Sequence, residues 1–234
     1  MDSLRRQGSR NLGKARNDSP QRGLDVCKKV TAMAKLYFYY STMNAGKSTA
    51  LLQAAYNYAE RGMQTLLFSA NRDFQERGVV SSRIGIHSQA HLFDSDTDFW
   101  EMCQSRTPHC VLIDEAQFLS KPQVRQLTRI VDESNIPVMC YGLRTDFQGE
   151  LFPGSAVLLA WADTLTEIKT ICACGRKATM VVRVMPDGRV EREGVQVELG
   201  GNERYVSYCR KHFWESMLLG RCYDLPAPAL VTCP

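Results

Sequence analysis

The sequence predicts an α/β fold built on a parallel sheet, followed by a smaller β module that a metal ion holds together. A β-prone stretch runs into a small-residue loop and then a helix at residues 35–62. A continuous apolar run ends in a carboxylate at residues 110–114, as expected of a parallel strand that is buried on both faces. Two short pairs of metal-binding side chains follow at residues 172–174 and 209–212.

The segment at residues 35–62 predicts a strand, a phosphate-binding loop and a helix. Leu36 to Tyr40 is β-prone, and Thr49 to Gly62 is helix-like. Backbone N–H groups of the loop and the helix N-terminus converge on a polyphosphate, Lys47 reaches the β- and γ-phosphates, and Ser48 binds Mg²⁺. Ser41 stands where the GxxxxGK[ST] pattern has glycine, and the alternative is an incidental turn. The predicted phosphate-binding residues are Ser41, Thr42, Met43, Asn44, Ala45, Gly46, Lys47 and Ser48.

A second strand supplies the carboxylates that a magnesium nucleotide requires. Val111 to Ile113 is apolar, and Asp114 and Glu115 follow it directly. Since α/β sheets place ligands at the carboxyl ends of their strands, Asp114 is predicted to hold Mg²⁺, and Glu115 to accept a proton from a substrate hydroxyl or from water. The alternative is that both carboxylates only cap the next helix. The residues expected at the nucleotide here are Asp114, Glu115, Ala116 and Gln117.

The segment from Pro137 to Ser155 predicts a further strand, Val138 to Tyr141, and a loop that faces the same site. Because the loop lies at the carboxyl end of its strand, its larger apolar side chains are candidates for walls around a flat ring. The alternative is that they only pack the loop onto the domain. These side chains are Leu143, Phe147 and Phe152.

Cysteine and histidine spacing predicts a structural zinc site. The first 32 residues contain no apolar leader region, so we expect a cytoplasmic protein with reduced thiols. Three thiolates and one imidazole complete a tetrahedral shell around a zinc ion. The ion would join the two ends of the segment that contains residues 181–201, which alternate like strands about an Asp187-Gly188 turn. The alternative is a set of unrelated buried thiols. The predicted ligands are Cys172, Cys174, Cys209 and His212.

Charge and hydropathy argue against two classes of partner. The 234-residue chain carries 29 Lys/Arg and 25 Asp/Glu, a net charge of +4. Eight of the basic and three of the acidic residues lie in residues 1–32, so the rest of the chain carries 21 against 22. We expect no nucleic-acid partner for this slightly acidic body, and no membrane span, since no stretch approaches about 20 apolar residues.

Composition also divides the chain into four regions. Residues 1–33 are polar and rich in Gly, Ser and Arg, which predicts a disordered extension, with Met33 as an alternative start. We expect the α/β domain at residues 34–168 and the zinc module at residues 169–216. Residues 217–234 become Pro- and Ala-rich, which predicts a loose tail.

Five motifs, taken in order, resemble thymidine kinases of the compact, zinc-containing (type II) family. They are AGKS, IDEAQF, YGLRTDFQGELF, the cysteine knuckle after EIKT, and GGNERYVSYCRKH. The resemblance covers roughly residues 35–215. The Ser41 start of the loop and the Cys-x-Cys and Cys-x-x-His knuckles are similar to those of enterobacterial members, whereas animal members generally use two Cys-x-x-Cys knuckles.

The resemblance implies a RecA-like P-loop fold and a lasso, a zinc-held loop that closes over the nucleoside. It implies transfer of the γ-phosphoryl group of Mg-ATP to the 5′-hydroxyl of thymidine, and also of deoxyuridine, with Glu115 as general base. Gly201 and Tyr205 are implied nucleoside contacts, and Arg77 or Arg83 is the expected cation on the transferring group. The resemblance further implies a cytoplasmic homotetramer that serves deoxynucleotide salvage.

Two other classes of function share the same phosphate loop. A P-loop ATPase motor or switch acting on DNA would use Glu115 to activate water and the zinc module to contact the nucleic acid. The slightly acidic body and the lack of a clustered basic stripe in the hairpin sequence oppose it. A structural zinc adaptor would not need Lys47, Ser48, Asp114 and Glu115 together. Nucleoside-dependent ATP turnover distinguishes the three.

Overall fold

The computed structural model describes residues 33–71, 78–197 and 202–223. The expectations for residues 1–32, for Arg77, for Gly201 and for the tail beyond residue 223 therefore lie outside the described residues. Within the described ranges, no helix combines the length and the apolar character needed to cross a lipid bilayer.

Strands and helices alternate through the first part of the described chain, and short antiparallel strands follow. The described strands are β1 Leu36–Ser41, β2 Thr65–Ala70, β3 Val79–Ser81, β4 His87–Gln89, β5 His91–Phe93, β6 Cys110–Asp114, β7 Val138–Leu143, β8 Thr164–Glu167, β9 Thr170–Ile171, β10 Lys177–Ala178, β11 Met180–Val184, β12 Val190–Glu191 and β13 Tyr205–Tyr208. The described helices are α1 Lys47–Ala59, α2 Phe99–Arg106, α3 Lys121–Ser134, α4 Pro153–Trp161 and α5 Arg210–Leu219, with 3-10 turns at Ala116–Phe118 and Asn202–Arg204.

A six-stranded parallel sheet forms the centre of the α/β part, in the order β5-β2-β6-β7-β1-β8. The predicted α/β class is therefore confirmed. β1 and β6 both pair with β7, so the loop after β1 and the acidic residues after β6 leave the sheet on either side of the end of β7. This topology brings the three predicted site segments to one edge of the sheet.

The two faces of the sheet are covered by different helices, because successive side chains of a strand point to opposite faces. Val111 and Ile113 of β6 share one core with residues of α2, α3 and α4. Cys110 and Leu112 of the same strand share the other core with Leu51 of α1. This burial on both faces explains why β6 is a continuous apolar run in the sequence.

A smaller antiparallel unit follows the sheet, with β9 paired to β10 and with β11 between β12 and β13. Gly188 adopts φ 82 in the predicted turn between β11 and β12. These strands pair only at Arg183 with Glu191 and Val184 with Val190, so the hairpin is shorter than the predicted alternation over residues 181–201. Helix α5 packs Phe213 into the core of this unit and runs to Leu219, past residue 216 where we expected the module to end.

Candidate active site and metal site

The predicted phosphate loop joins the end of β1 to the start of α1. Asn44 and Gly46 have left-handed backbone conformations, with φ 61 and φ 86, so the chain turns sharply before the helix. The first turn of α1 contains no acidic residue, and its N-cap makes no side-chain hydrogen bond. The positive end of the α1 dipole is therefore not neutralised by the helix itself, which favours the binding of an anion such as phosphate.

Lys47, the first residue of α1, is folded back onto the phosphate loop. Its Nζ donates hydrogen bonds to the carbonyl oxygen of Thr42 at 2.9 Å and to Ser41 Oγ at 3.3 Å. Burial lowers the pKa of Lys47, and the nearby carboxylates of Glu115 and Asp114 oppose that shift. Among the described residues its hydrogen-bond partners are neutral, so this buried ammonium group is well placed to gain from a phosphate.

Asp114 lies beside the predicted magnesium ligand of the phosphate loop. Ser48 Oγ donates a hydrogen bond to Asp114 Oδ2 at 3.3 Å, although the two residues are 66 positions apart. The Asp114 carboxylate is 3% exposed, and its Oδ1 accepts no hydrogen bond from any described residue. Burial, followed by repulsion from Glu115, raises the pKa of Asp114 to about 7. A hydroxyl and a buried carboxylate with an unused oxygen are ligands that Mg²⁺ prefers, so these residues fit the predicted ion.

Glu115 follows β6 with φ 54, a left-handed conformation that is unusual for a residue other than glycine. Such backbone strain costs about 1–3 kcal/mol and is common at functional sites. Glu115 precedes the 3-10 turn, but its side chain does not cap it, and the cap of α3 is Ser120. The structure therefore does not support the alternative that the two carboxylates only cap the next helix. Instead, Glu115 Oε2 accepts a hydrogen bond from Nε2 of Gln117 at 2.5 Å.

Ala116 and Gln117, the other residues predicted at the nucleotide, are both buried in the 3-10 turn after Glu115. The amide of Gln117 contacts protein groups on both of its sides, since its Oε1 also accepts the backbone N–H of Leu143 at 3.0 Å. Contact of either residue with a nucleotide remains a prediction.

The three apolar side chains predicted as ring walls lie at the end of β7 and in the loop after it. Leu143 is the last residue of β7, because this strand extends two residues beyond the predicted Tyr141. Phe147 is 1% exposed beneath the guanidinium of Arg183, 3.8 Å from its ring centre, and Phe152 is 5% exposed. Both rings pack the loop onto the protein, as the alternative interpretation states, and their contact with a nucleoside remains a prediction.

The other residues named for the nucleoside and the phosphoryl group are only partly described. Tyr205 begins β13 and is half-buried, with a side-chain hydrogen bond to Arg183. Arg83 is exposed in the turn between β3 and β4. Contact of Tyr205 with the nucleoside and of Arg83 with the transferring phosphoryl group remains a prediction.

The four predicted zinc ligands form one cluster, with their ligand atoms all within 4.8 Å of one another. Sγ of Cys174 lies 3.8 Å from Sγ of Cys209, and Sγ of Cys172 lies 3.3 Å from Nδ1 of His212. A tetrahedron with Zn–S bonds of about 2.3 Å has edges of about 3.8 Å, so the spacing fits zinc. Four protein ligands would fill the coordination shell of a zinc ion and leave no open position, so a structural role fits this site better than a catalytic one.

Residues around the zinc cluster include two that the sequence pattern did not identify. Nε2 of His212 lies 3.7 Å from Oε2 of Glu215, and the ring of Tyr223 stacks on the imidazole at 3.8 Å. Since Nδ1 faces the thiols, Glu215 lies at the opposite nitrogen of the ring and Tyr223 covers one of its faces, so both contacts restrict how the imidazole can turn. Glu215 follows His212 by three residues, which is helical spacing, but only the position of α5 shows that they meet.

Comparisons with known proteins add to this geometry. The family model described as thymidine kinase matches residues 34–213. A thymidine kinase of Shewanella oneidensis is 63% identical over 188 residues, which make up 78% of this chain and 98% of the relative. Thymidine kinases of Salmonella typhimurium and Yersinia pestis are 60% and 59% identical over 79% and 81% of this chain, and over 93% and 100% of their own chains.

Proposed function

The chain belongs to the thymidine kinase family and phosphorylates thymidine, and we propose that the residues described above carry out this reaction. The γ-phosphoryl group of ATP passes to the 5′-hydroxyl of thymidine and gives thymidine monophosphate and ADP. The observation that supports this assignment most directly is the contact of Ser48 with Asp114, which joins the phosphate loop to the acidic segment after β6. Glu115 is the next residue, and we propose that the reacting hydroxyl meets the γ-phosphate beside it.

The phosphate loop holds ATP through several weak groups acting together. Backbone N–H groups of residues 41–48 and the N-terminus of α1 bind the phosphate oxygens. Lys47 exchanges its bonds to Thr42 and Ser41 for the β- and γ-phosphates. Ser48 and Asp114 are the residues that would hold Mg²⁺, and this ion supplies positive charge to the phosphate oxygens when it is bound.

Glu115 is proposed as the general base. It accepts the proton of the 5′-hydroxyl as that oxygen bonds to the γ-phosphorus and the bond from phosphorus to the β,γ-bridging oxygen of ADP breaks. Phosphoryl transfer has a loose transition state in which the attacking oxygen needs little negative charge. Most of the rate enhancement by Glu115 is therefore expected to come from orienting the hydroxyl. A carboxylate fixed at the strand end is suited to this task.

The zinc module is proposed to carry the lasso over the nucleoside. The four-ligand cluster ties residues 172–174 to the start of α5, and the chain between them contains β11, β12 and β13. Gly201 and Tyr205 belong to this segment, and together with Leu143, Phe147 and Phe152 they are proposed to surround the base and sugar. Phosphorylation of deoxyuridine is proposed as well, since it differs from thymidine by one methyl group.

Assembly as a homotetramer and work in deoxynucleotide salvage rest on the family resemblance. A cytoplasmic location is proposed as well, and the expectation of no nucleic-acid or membrane partner rests on the charge and hydropathy of the sequence. The division of the chain into four regions, with boundaries after residues 33, 168 and 216, also remains a proposal. The alternative of an ATPase acting on DNA has no observation in its favour, because thymidine kinases match this chain over almost its whole α/β part and zinc module.

ADP formation by the purified chain with Mg-ATP tests the proposal, measured alone and with thymidine, deoxyuridine, deoxycytidine, deoxyadenosine or deoxyguanosine. We expect ADP only with thymidine and deoxyuridine, and a loss of about 10²-fold or more in kcat for Glu115→Gln with ATP affinity nearly intact. A native kcat in that variant would rule out Glu115 as the base. ADP formed without a nucleoside, or stimulated by DNA, would contradict the proposed reaction.

A further inference from the structure

We propose that Gln117 is a positioning residue that holds the carboxylate of Glu115 for catalysis. The inference rests on the proposed function, in which Glu115 accepts the proton of the 5′-hydroxyl. Gln117 Nε2 donates to Glu115 Oε2 at 2.5 Å, and Gln117 Oε1 accepts the backbone N–H of Leu143 at 3.0 Å. One side chain therefore links the base to the end of β7.

The partners of Gln117 allow one orientation of its amide. The backbone N–H of Leu143 can only donate a hydrogen bond, so the amide atom facing it must be the oxygen. A carboxylate such as that of Glu115 can only accept, so the atom facing it must be the nitrogen. Each half of the amide thus has a partner of the required type, and the contact with Glu115 is a charge-assisted hydrogen bond.

Burial of this amide needs a reason, because a polar group removed from water is costly unless it is fully hydrogen-bonded. Gln117 is 1% exposed and lies next to Ala116, which is itself fully buried. An apolar side chain of similar size would fill the same space but would leave both partners of the amide without their hydrogen bonds. A side chain with only an acceptor would satisfy the N–H of Leu143, so it is the donor half of the amide that the carboxylate of Glu115 explains.

The 3-10 turn that carries Gln117 is held tightly between β7 and α4. A Cβ atom on Gly142 would lie 2.9 Å from Gln117 Oε1, and one on Gly154 would lie 2.7 Å from the carbonyl oxygen of Gln117. The amide is therefore mounted on a rigid support.

A rigid support matters because a glutamate side chain has several rotamers, and only some of them bring the carboxylate to the reacting hydroxyl. A general base must lie within about 3 Å of the atom whose proton it accepts, and small displacements cost large factors in rate. Gln117 selects the rotamer of Glu115 in which Oε2 meets the amide. The other carboxylate oxygen, Oε1, is then the atom left to face the substrate.

The competing explanation is that Gln117 only fastens the turn to β7 through Leu143. Two variants separate the roles. Gln117→Glu keeps an oxygen for the N–H of Leu143 but replaces the amide donor with a second carboxyl group against Glu115, whereas Gln117→Met removes both bonds. Ser155→Ala is the matched control, because it removes the hydrogen bond that Ser155 Oγ donates to the carbonyl oxygen of Leu143 at 2.5 Å and leaves both hydrogen-bonding groups of Gln117 in place.

The test is steady-state kinetics of the full chain with thymidine and ATP, together with thermal unfolding of each variant. We expect both Gln117 variants to lower kcat by about 10- to 100-fold, with each KM changed by less than about threefold. Ser155→Ala should keep kcat within about threefold even where its Tm falls. In a Glu115→Gln background, Gln117→Glu should leave the residual rate unchanged within about twofold, because the base it positions is already absent.

The proposal is overturned if Gln117→Glu lowers the rate by the same factor with and without Glu115, or if both Gln117 variants retain native kcat. The Glu115→Gln arm separates this failure from that of the proposed function. A slow Glu115→Gln enzyme with fast Gln117 variants refutes only the positioning role. A fast Glu115→Gln enzyme refutes the base itself.

Discussion

Ser207, in β13 of the zinc module, donates a hydrogen bond from its Oγ to the carbonyl oxygen of Met43 in the phosphate loop at 2.8 Å. A second link lies nearby, where Nη2 of Arg144 donates to the carbonyl oxygen of Thr179 at 3.1 Å, between β10 and β11. The module that carries the four predicted metal ligands therefore contacts both the phosphate loop and the loop after β7. A change in the zinc module can thus reach the ATP side as well as the nucleoside side.

The hydrogen bond of Ser207 predicts a defect in ATP binding. Ser207→Ala should raise the KM for ATP by about 2- to 10-fold, because a typical hydrogen bond contributes about 0.5–1.5 kcal/mol and this one orients a carbonyl group within the loop. Ser207→Thr keeps the hydroxyl and should stay close to the native value. Steady-state kinetics at saturating thymidine measure the effect. An unchanged KM for ATP in the alanine variant would show that the bond does not shape the loop.

The segments that the sequence predicted well are those whose pattern is local. β1, the phosphate loop and α1 follow one another within residues 35–62, and β6 is a short apolar run that ends in Asp114. The predicted ends of these strands and helices differ from the observed ones by one to three residues, because the ends depend on packing that a local pattern does not contain. The clustering of the four predicted zinc ligands was also predictable, because zinc requires particular residue types at short spacings.

The contacts that the sequence did not predict join residues far apart in the chain. Ser207 and Met43 are 164 positions apart, and Gln117 and Leu143 are 26 apart. A serine in a β-prone stretch and a glutamine after a strand have many ordinary explanations, so their residue types carried little information. Their roles depend on how β13 and β7 lie against the site, which only the folded chain defines.

The buried carboxylate of Asp114 is expected to serve activity but to lower the stability of the ligand-free protein. Its carboxyl has a pKa of about 7 in the folded chain against an ordinary value of 3.8, so the unfolded chain releases this proton more readily and stability falls as the pH rises from about 4 through 7. Asp114→Asn should therefore raise the Tm of the ligand-free protein, and by more at pH 8 than at pH 6. The same variant should lose most activity and require more Mg²⁺.

Thermal unfolding at the two pH values, without and with Mg-ATP, checks this prediction. Mg-ATP should stabilise the native chain more than the Asp114→Asn variant, because ligand binding to the folded state raises its stability. Ser48→Ala is a useful comparison, since it removes the other predicted ligand without removing the buried charge. A lower Tm for Asp114→Asn at pH 8 would contradict the destabilising role of this carboxylate.

The zinc cluster predicts one tightly bound zinc ion per chain. Cys174→Ser should lower the zinc content, reduce the Tm by several degrees and raise the KM for thymidine, because a structural metal contributes directly to the folding of the module it holds. Cys222→Ser is the control, since Cys222 belongs to the same module but lies outside the cluster. Metal analysis by mass spectrometry and kinetics measure both effects. A zinc-free native enzyme with full activity would contradict the assignment.

The contacts of Arg183 predict that its substitution weakens nucleoside binding selectively. Its guanidinium lies 3.8 Å from the ring centre of Phe147, makes two hydrogen bonds of 2.7 Å with Glu191, and donates to the carbonyl oxygen of Val195 at 3.0 Å. It therefore fixes the chain after β12 over a ring that is proposed to pack against the base. Because the planar guanidinium binds both oxygens of Glu191 and stacks on the ring, lysine cannot replace it.

We expect Arg183→Lys to raise the KM for thymidine by about 10-fold or more and to change the KM for ATP by less than about twofold, since about 1–3 kcal/mol of buried charge-assisted bonding is lost on the nucleoside side alone. Arg189→Lys in the adjacent turn is the matched control, because that side chain is exposed and pairs only with Asp187 among the described residues. Initial-rate kinetics with each substrate varied in turn distinguish the two sides of the site. Equal increases in both KM values would instead point to a general loosening of the zinc module, which the unfolding temperature of the variant would also register.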